Sequence, residues 1–137
     1  MRLAISARHC VAILTFIAAI ATIDMACAQA EAPGEYRQLV PGMLSRSIFK
    51  GEAGKSTVEV IDLLVGPGKT SEDMTTPDRV ILDVQAGDAT LFIDGQSQRL
   101  RPGVVIPLDR DQRIAVDNSG GTRPFVARMI VVSPIRR

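Results

Sequence analysis

Histidine, cysteine and tryptophan are almost missing from this chain of 137 residues, and the few present fall in one place. The one histidine, His9, and both cysteines, Cys10 and Cys27, lie within the first thirty residues, and there is no tryptophan. Residues 31–137 therefore have no imidazole or thiolate to hold a metal, no cysteine nucleophile, no disulfide and no Ser-His-Asp triad. Aromatic surface is scarce too. Tyr36, Phe49, Phe92 and Phe125 are all that residues 31–137 contain, too little for stacking nucleotide bases or sugars. Charge of one sign is also lacking. The whole chain carries +1, and without Arg2, Arg8 and Asp24 fourteen basic and fourteen acidic residues remain. No bulk field draws nucleic acid or an anionic membrane.

The first thirty residues have a different composition. Arg2 and Arg8 precede an apolar run from Val11 to Ile23, and small residues follow as Ala28-Gln29-Ala30. A basic start, an apolar centre and an A-x-A end form the three-part layout of a secretory signal peptide. Cleavage is expected after Ala30, with Ala26-Cys27-Ala28 as the alternative site. The run of about 13 residues is short of the roughly 20 that span a bilayer. A retained anchor and a lipid-modified Cys27 are the rival readings. The expected product is periplasmic or secreted, without a membrane span after cleavage. Absence of cysteine suits an oxidising compartment.

Residues 31–44, with Pro33, Gly34, Pro41 and Gly42, read as an irregular lead-in in which Leu39-Val40 pairs at a sheet edge. Met43 to Lys50 fits either a helical turn or a strand, and Gly51 to Lys55 a loop. Ser56 to Val65 is a β-branched run, apolar on both faces except at Asp62. Lys69 to Asp78 reads as a polar loop. Short strands follow at Arg79–Val84, Ala89–Ile93, Gln96–Leu100, Val104–Leu108, Gln112–Asp117 and Phe125–Val132. Gly, Pro, Asp and Asn separate them, and Asp94-Gly95 is a strong hairpin signal. Seven or eight short strands without a 3.6-residue period predict an all-β sandwich or small barrel over residues 45–133, with 134–137 as a tail.

Several of these segments together resemble a small single-domain barrel of the cupin superfamily. The opening strand and Pro-Gly turn run from Val58 to Gly68, and Val80 to Gly87 is similar to the strand that ends in Glu-Gly. Leu91 to Gly95 with Leu100 to Gly103 is similar to the central hairpin. Val104-Val105-Ile106-Pro107 with Asn118-Ser119-Gly120 is similar to the second motif. The resemblance implies a jelly-roll (double-stranded β-helix) of two antiparallel sheets and, by analogy, a homodimer. It also implies a metal held by two histidines one residue apart, a glutamate and a third histidine. Counting from Gly87, the glutamate position falls on Val80 and the paired histidines near Met74 and Thr76. The third histidine falls near Ile114, or near Gln112 when counted from Pro107. None of these residues suits a metal: a lone Met74 thioether makes no copper site.

No metal or other cofactor is therefore expected. By alternation, Val80 takes Leu82 and Val84 inward with it, and Ile114 takes Gln112 and Val116. Two readings stand for such an aliphatic lumen: a packed core, or a small apolar pocket. Arg128, amid the apolar run Phe125–Val132, reads either as a cross-strand partner of Asp62 or Asp83, or as a carboxylate anchor at the barrel mouth. The candidate binding positions of lumen and mouth are Met74, Thr76, Val80, Ile114 and Arg128. Glu72 and Asp73, with Asp78 and Arg79 nearby, read as a solvated loop. The doubly apolar strand Ser56–Val65 calls for a second cover, which a partner subunit would supply.

The expected function is that of an exported, metal-free, non-catalytic module that binds a small apolar or carboxylate molecule or serves as an accessory. The alternative is a metal-independent isomerase- or lyase-like enzyme acting on a small carboxylate or sugar through Asp73, Asp83 or Arg128. A scaffold role in an envelope complex is a third reading.

Overall fold

A computed structural model describes residues 34–136; the expected leader lies outside them. Eleven strands and no helix make up the described part. They are β1 (Arg37–Val40), β2 (Met43–Ala53), β3 (Ser56–Val65), β4 (Lys69–Thr70), β5 (Met74–Thr75), β6 (Arg79–Ala86), β7 (Ala89–Ile93), β8 (Gln96–Leu100), β9 (Val105–Leu108), β10 (Arg113–Asn118) and β11 (Phe125–Pro134).

Two antiparallel sheets form. The larger has the order β1-β2-β3-β11-β6-β9, and the smaller β4-β10-β7-β8, with β5 also paired to β10. The all-β jelly-roll expected from the sequence is the fold observed. Asp94 and Gly95 both take positive φ, 50° and 83°, and Ile93 pairs with Gln96 across them. That is the two-residue turn whose twist matches the flanking strands.

Three local expectations are corrected. Leu39 and Val40 do pair at the sheet edge, in β1, but the lead-in around them is not irregular: β1 starts at Arg37 and β2 at Met43. Of the two readings of Met43–Lys50 the strand is the one observed, and the loop expected from Gly51 to Lys55 is shorter, because pairing with β3 carries β2 through Gly51 to Ala53. The loop from Lys69 to Asp78 contains β4 and β5, both hydrogen-bonded to β10. Two-residue strands leave no alternation to detect, so their partner alone defines them.

The two sheets close on an aliphatic interior. Leu63 and Val65 of β3, Val80, Leu82 and Val84 of β6, and Ala127 and Met129 of β11 project from the large sheet. Leu91, Leu100, Ile114 and Val116 project from the small one, and Phe125 is among the largest fully buried side chains.

The outer face of the large sheet is also ordered in rows. Arg46, Asp62, Arg128 and Asp83 lie side by side across β2, β3, β11 and β6. One row along, Phe49, Val60, Ile130, Ile81 and Pro107 lie across β2, β3, β11, β6 and β9. A bulge between Ser47 and Phe49 shifts the β2 register and turns Phe49 onto this outer face.

Candidate functional site

The four positions that a metal would need are built by three strands and one loop. Met74 of β5 pairs with Ile114 of β10 across the small sheet. Val80 sits on β6 of the opposite sheet, within the same core cluster. Val80 and Ile114 are fully buried, and Met74 is half-buried against the core. Thr76, just after β5, is also fully buried.

Thr76 has a hydroxyl, but it is already committed. Its Oγ1 donates to the Asp109 carbonyl and accepts from the Gln112 amide at 3.0 Å. Its backbone N–H donates to Gln112 O at 3.0 Å, and its carbonyl accepts from Asp111 N at 2.9 Å. Thr76 thus ties β5 to the turn between β9 and β10, where Asp111 holds a positive φ of 63°.

These residues do not fit a divalent ion. Two aliphatic groups, a spent hydroxyl and one thioether offer nothing to replace a hydration shell. Among the described residues, no group of three or more His, Cys, Asp or Glu side chains converges.

The recesses of the surface lie elsewhere. One cleft of about 720 Å³ at the barrel end is lined by Gly87, Thr90, Arg99, Ser119, Thr122 and Arg123, among others. Another of about 760 Å³ lies over the small sheet and includes Asp73, Phe92, Asp111 and Arg113. Neither is lined by Val80, Leu82, Ile114 or Val116.

Asn118 braces the end cleft. Its Nδ2 donates to the carbonyls of Val65 (3.1 Å), Gly66 (3.1 Å) and Arg123 (2.9 Å). The side chain is buried, and among the described residues its Oδ1 has no partner. Gly121 packs on it: a Cβ at Gly121 would lie 1.9 Å from Oδ1. Beside it, the Asp117 carboxylate accepts from Ser119 N (2.8 Å) and Thr70 Oγ1 (3.1 Å). The hydrogen bonds from Ser119, then that from Thr70, hold the Asp117 carboxyl below its usual pKa. The reading of the sequence missed this brace. Its only signal was a turn-forming Asn-Ser-Gly-Gly run, which does not say that the amide points inward.

Arg128 is placed away from the lumen and its mouth, on the outer face of the large sheet. Its Nε donates to Asp62 Oδ1 at 3.0 Å, and Arg46 donates to Asp62 Oδ2 at 3.1 Å. The Asp62 hydrogen bond and charge raise the Arg128 pKa above its already high value. Arg46 in turn stacks over the Tyr36 ring, 4.7 Å from its centroid. Of the two readings of Arg128, the cross-strand pair with Asp62 is the one found, not the mouth anchor: alternation along β11 sends Ala127 and Met129 inward and Arg128 outward. Asp83 shares that outer row and accepts from Gln85 Nε2 at 2.7 Å. Asp73 is exposed, 3.8 Å from Arg113. The three residues named for acid-base work therefore do not meet in one site.

No family model matches the chain, and no curated protein matches it either. Solved structures do match. The chain is similar to a DMSP lyase from Ruegeria pomeroyi at 18% identity and a TM-score of 0.61, covering 76% of this chain and 58% of that one. It is similar to a predicted oxalate decarboxylase from Thermotoga maritima at 14% identity and 0.59, covering 76% and 93%. A cupin-2 domain of a transcriptional regulator from Enterobacter cloacae matches at 21% identity and 0.58, covering 69% and 99%. The described part of the chain has the cupin fold, without the metal ligands usual to it. These neighbours differ in role, so the fold leaves the activity open.

Proposed function

We propose that this chain is an exported, metal-free cupin-fold module that works without catalysis, by binding a small molecule or serving as an accessory. One observation carries the reading: the positions of the resemblance's metal ligands are held by Met74, Thr76, Val80 and Ile114. These are aliphatic groups, a thioether and an engaged hydroxyl, all but Met74 fully buried. Export rests on the composition of residues 1–30. A small carboxylate is the ligand chemistry that suits the end cleft, where Arg99 and Arg123 are both exposed. Guanidinium groups grip carboxylates through paired hydrogen bonds. The outward placement of Asp83 and Arg128 weighs against the metal-independent enzyme.

The test is native mass spectrometry of the protein purified, without refolding, from the envelope of its own cells. A mass that starts at Glu31, bare or with an organic adduct that Arg99→Ala and Arg123→Ala remove, supports the reading. A divalent metal bound one to one and surviving desalting overturns it, as does a leader retained in the cytoplasmic fraction.

A further inference from the structure

The end cleft and the cleft over the small sheet adjoin. On β7, Thr90 lines the first and Phe92 the second; on β10, Asp117 lines the first and Ala115 the second. Leu91, Ile114 and Val116 point into the core, so alternation sets these four residues on the outer face of the small sheet. They stand in neighbouring rows, because Thr90 pairs with Asp117 and Phe92 with Ala115. Arg99 of β8 extends the first row. A hydrogen bond of 3.1 Å joins Thr70 of the second cleft to Asp117 of the first. The two clefts are thus one trough that runs along the strands.

Charge is sorted along this trough. At the barrel end stand Arg99 and Arg123, both exposed and in no ion pair among the described residues. The carboxylates beside them are the exposed Asp88 and Asp117, and Asp117 is engaged by Ser119 N and Thr70 Oγ1. At the other end Asp73, Asp94 and Asp111 surround a single cation, Arg113. Arg113 lies 3.8 Å from Asp73, and its backbone N–H donates to Asp94 Oδ1 at 2.9 Å. Asp94 and Asp111 are in no ion pair among the described residues. Arg110, next to Asp111 in sequence, is turned to Asp78 instead. Negative charge is therefore in excess at this end, and free guanidinium groups stand at the other.

We propose, resting on the end cleft as a carboxylate site, that the trough binds a free oligopeptide of about four residues laid out along the strands. Its carboxylate sits at Arg99 and Arg123. Its terminal ammonium sits among Asp73, Asp94 and Asp111. Each end then meets the opposite charge through charge-assisted hydrogen bonds. A molecule charged at one end only leaves half of the complementarity unused.

Length selects the size of the ligand. Arg113 and Asp117 are four residues apart on β10, about 14 Å at the rise of a strand. An extended tetrapeptide reaches about as far, whereas a single amino acid cannot touch both ends. The floor suits a peptide as well. Phe92 and Ala115 at the centre offer apolar surface to a side chain, and the hydroxyls of Thr75 and Thr90 flank them. A hydroxyl serves an amide N–H and a carbonyl alike. Phe92 is the one aromatic ring that lines either cleft, too little to stack a chain of sugars or bases.

The test is isothermal titration calorimetry of the chain, expressed whole, purified as the cell leaves it and dialysed. The ligands are tetraalanine, its N-acetyl and C-amide forms, dialanine and succinate. Tetraalanine should bind, and blocking either end should weaken it by about tenfold or more. Dialanine should do no better than a blocked form. Asp94→Asn with Asp111→Asn removes charge where the backbone holds φ at 50° and 63°, a conformation Asn adopts as readily as Asp. That pair should weaken tetraalanine and leave the N-acetyl form unchanged. Arg99→Ala with Arg123→Ala should weaken tetraalanine and leave the C-amide form unchanged. Circular dichroism with Tm checks that each variant folds. An N-acetyl form as tight as the free peptide overturns the inference, as does a tetraalanine affinity indifferent to either pair of substitutions. Succinate that binds through Arg99 and Arg123 while tetraalanine does not overturns the peptide and leaves the carboxylate site standing. Silence from all five ligands overturns both.

Discussion

At the residue scale, buried polar side chains do more structural work than their number suggests. Thr76 is the clearest case, since its hydroxyl serves a carbonyl on one side and an amide on the other. Thr76→Val keeps the shape and strands both groups, so we expect a loss of about 1–3 kcal/mol in urea unfolding. Asp62 is a second. Its carboxylate is 4% exposed and joins Arg46 and Arg128, whose side chains are 34% and 39% exposed. Asp62→Ala leaves two cations beside apolar neighbours. Their exposure allows water to relieve part of that, so the expected cost is about 1–3 kcal/mol rather than the 3–5 of a wholly buried pair. Arg128→Met should be far milder by the same unfolding measurement, since a long apolar chain suits its neighbours Val126 and Ile130, although it frees one side of Asp62. By contrast Lys50–Glu59, Arg79–Asp109 and Arg113–Asp73 lie at 3.8–4.0 Å, with every side chain but that of Glu59 largely exposed, and such pairs contribute little.

At the element scale, turns and close approaches decide where strands stop and how the sheets meet. Gly42, at φ 82°, turns β1 into β2, and a Cβ there would lie 2.0 Å from the Thr70 carbonyl. Thr70 belongs to β4 of the other sheet, so Gly42 is where the two sheets touch backbone to backbone. Gly42→Ala must both strain the turn and push β4 away. We expect a fall in Tm larger than the roughly 1 kcal/mol equivalent of Gly95→Ala at the Asp94-Gly95 hairpin, where nothing crowds the new methyl and only the positive φ opposes it. The hairpin could be read in the sequence because two adjacent residues make it. The Gly42 contact could not, because its other half lies 28 residues further along.

At the scale of the whole molecule, acid should unfold this protein partly through carboxylates far from the core. The Arg110 hydrogen bond, then that of Ser133, holds the Asp78 carboxyl below its usual pKa, as Ser119 and Thr70 do for Asp117. A carboxyl depressed by folding contributes stability that is present above its unfolded pKa and is lost as pH falls through the lower folded value. Tm should therefore hold down to about pH 4 and then fall. Asp78→Asn and Asp117→Asn should each lower Tm near neutrality and flatten the acid limb, as thermal melts across pH would show. Asp78 ties the start of β6 to Ser133 near the end of β11 and to Arg110 after β9, so the effect reaches three strands of the large sheet.

Local chemistry was enough to determine the class of fold, the Asp94-Gly95 turn, the inward rows through Val80 and Ile114, and the lack of imidazole and thiolate beyond residue 30. Each rests on neighbours within a few residues: alternation by two, a turn dipeptide, a composition. Tertiary structure alone decided the rest. It chose between the readings of Arg128, setting it on the outer face against Asp62, 66 residues away. It spent the Thr76 hydroxyl on the β9–β10 turn and buried Asn118 under three carbonyls. It also aligned four charges and five apolar groups into rows across strands distant in the chain. Period-two alternation says which residues of one strand share a face. Only the pairing register says which residues of another strand lie beside them, and register is set by the closure of the whole barrel.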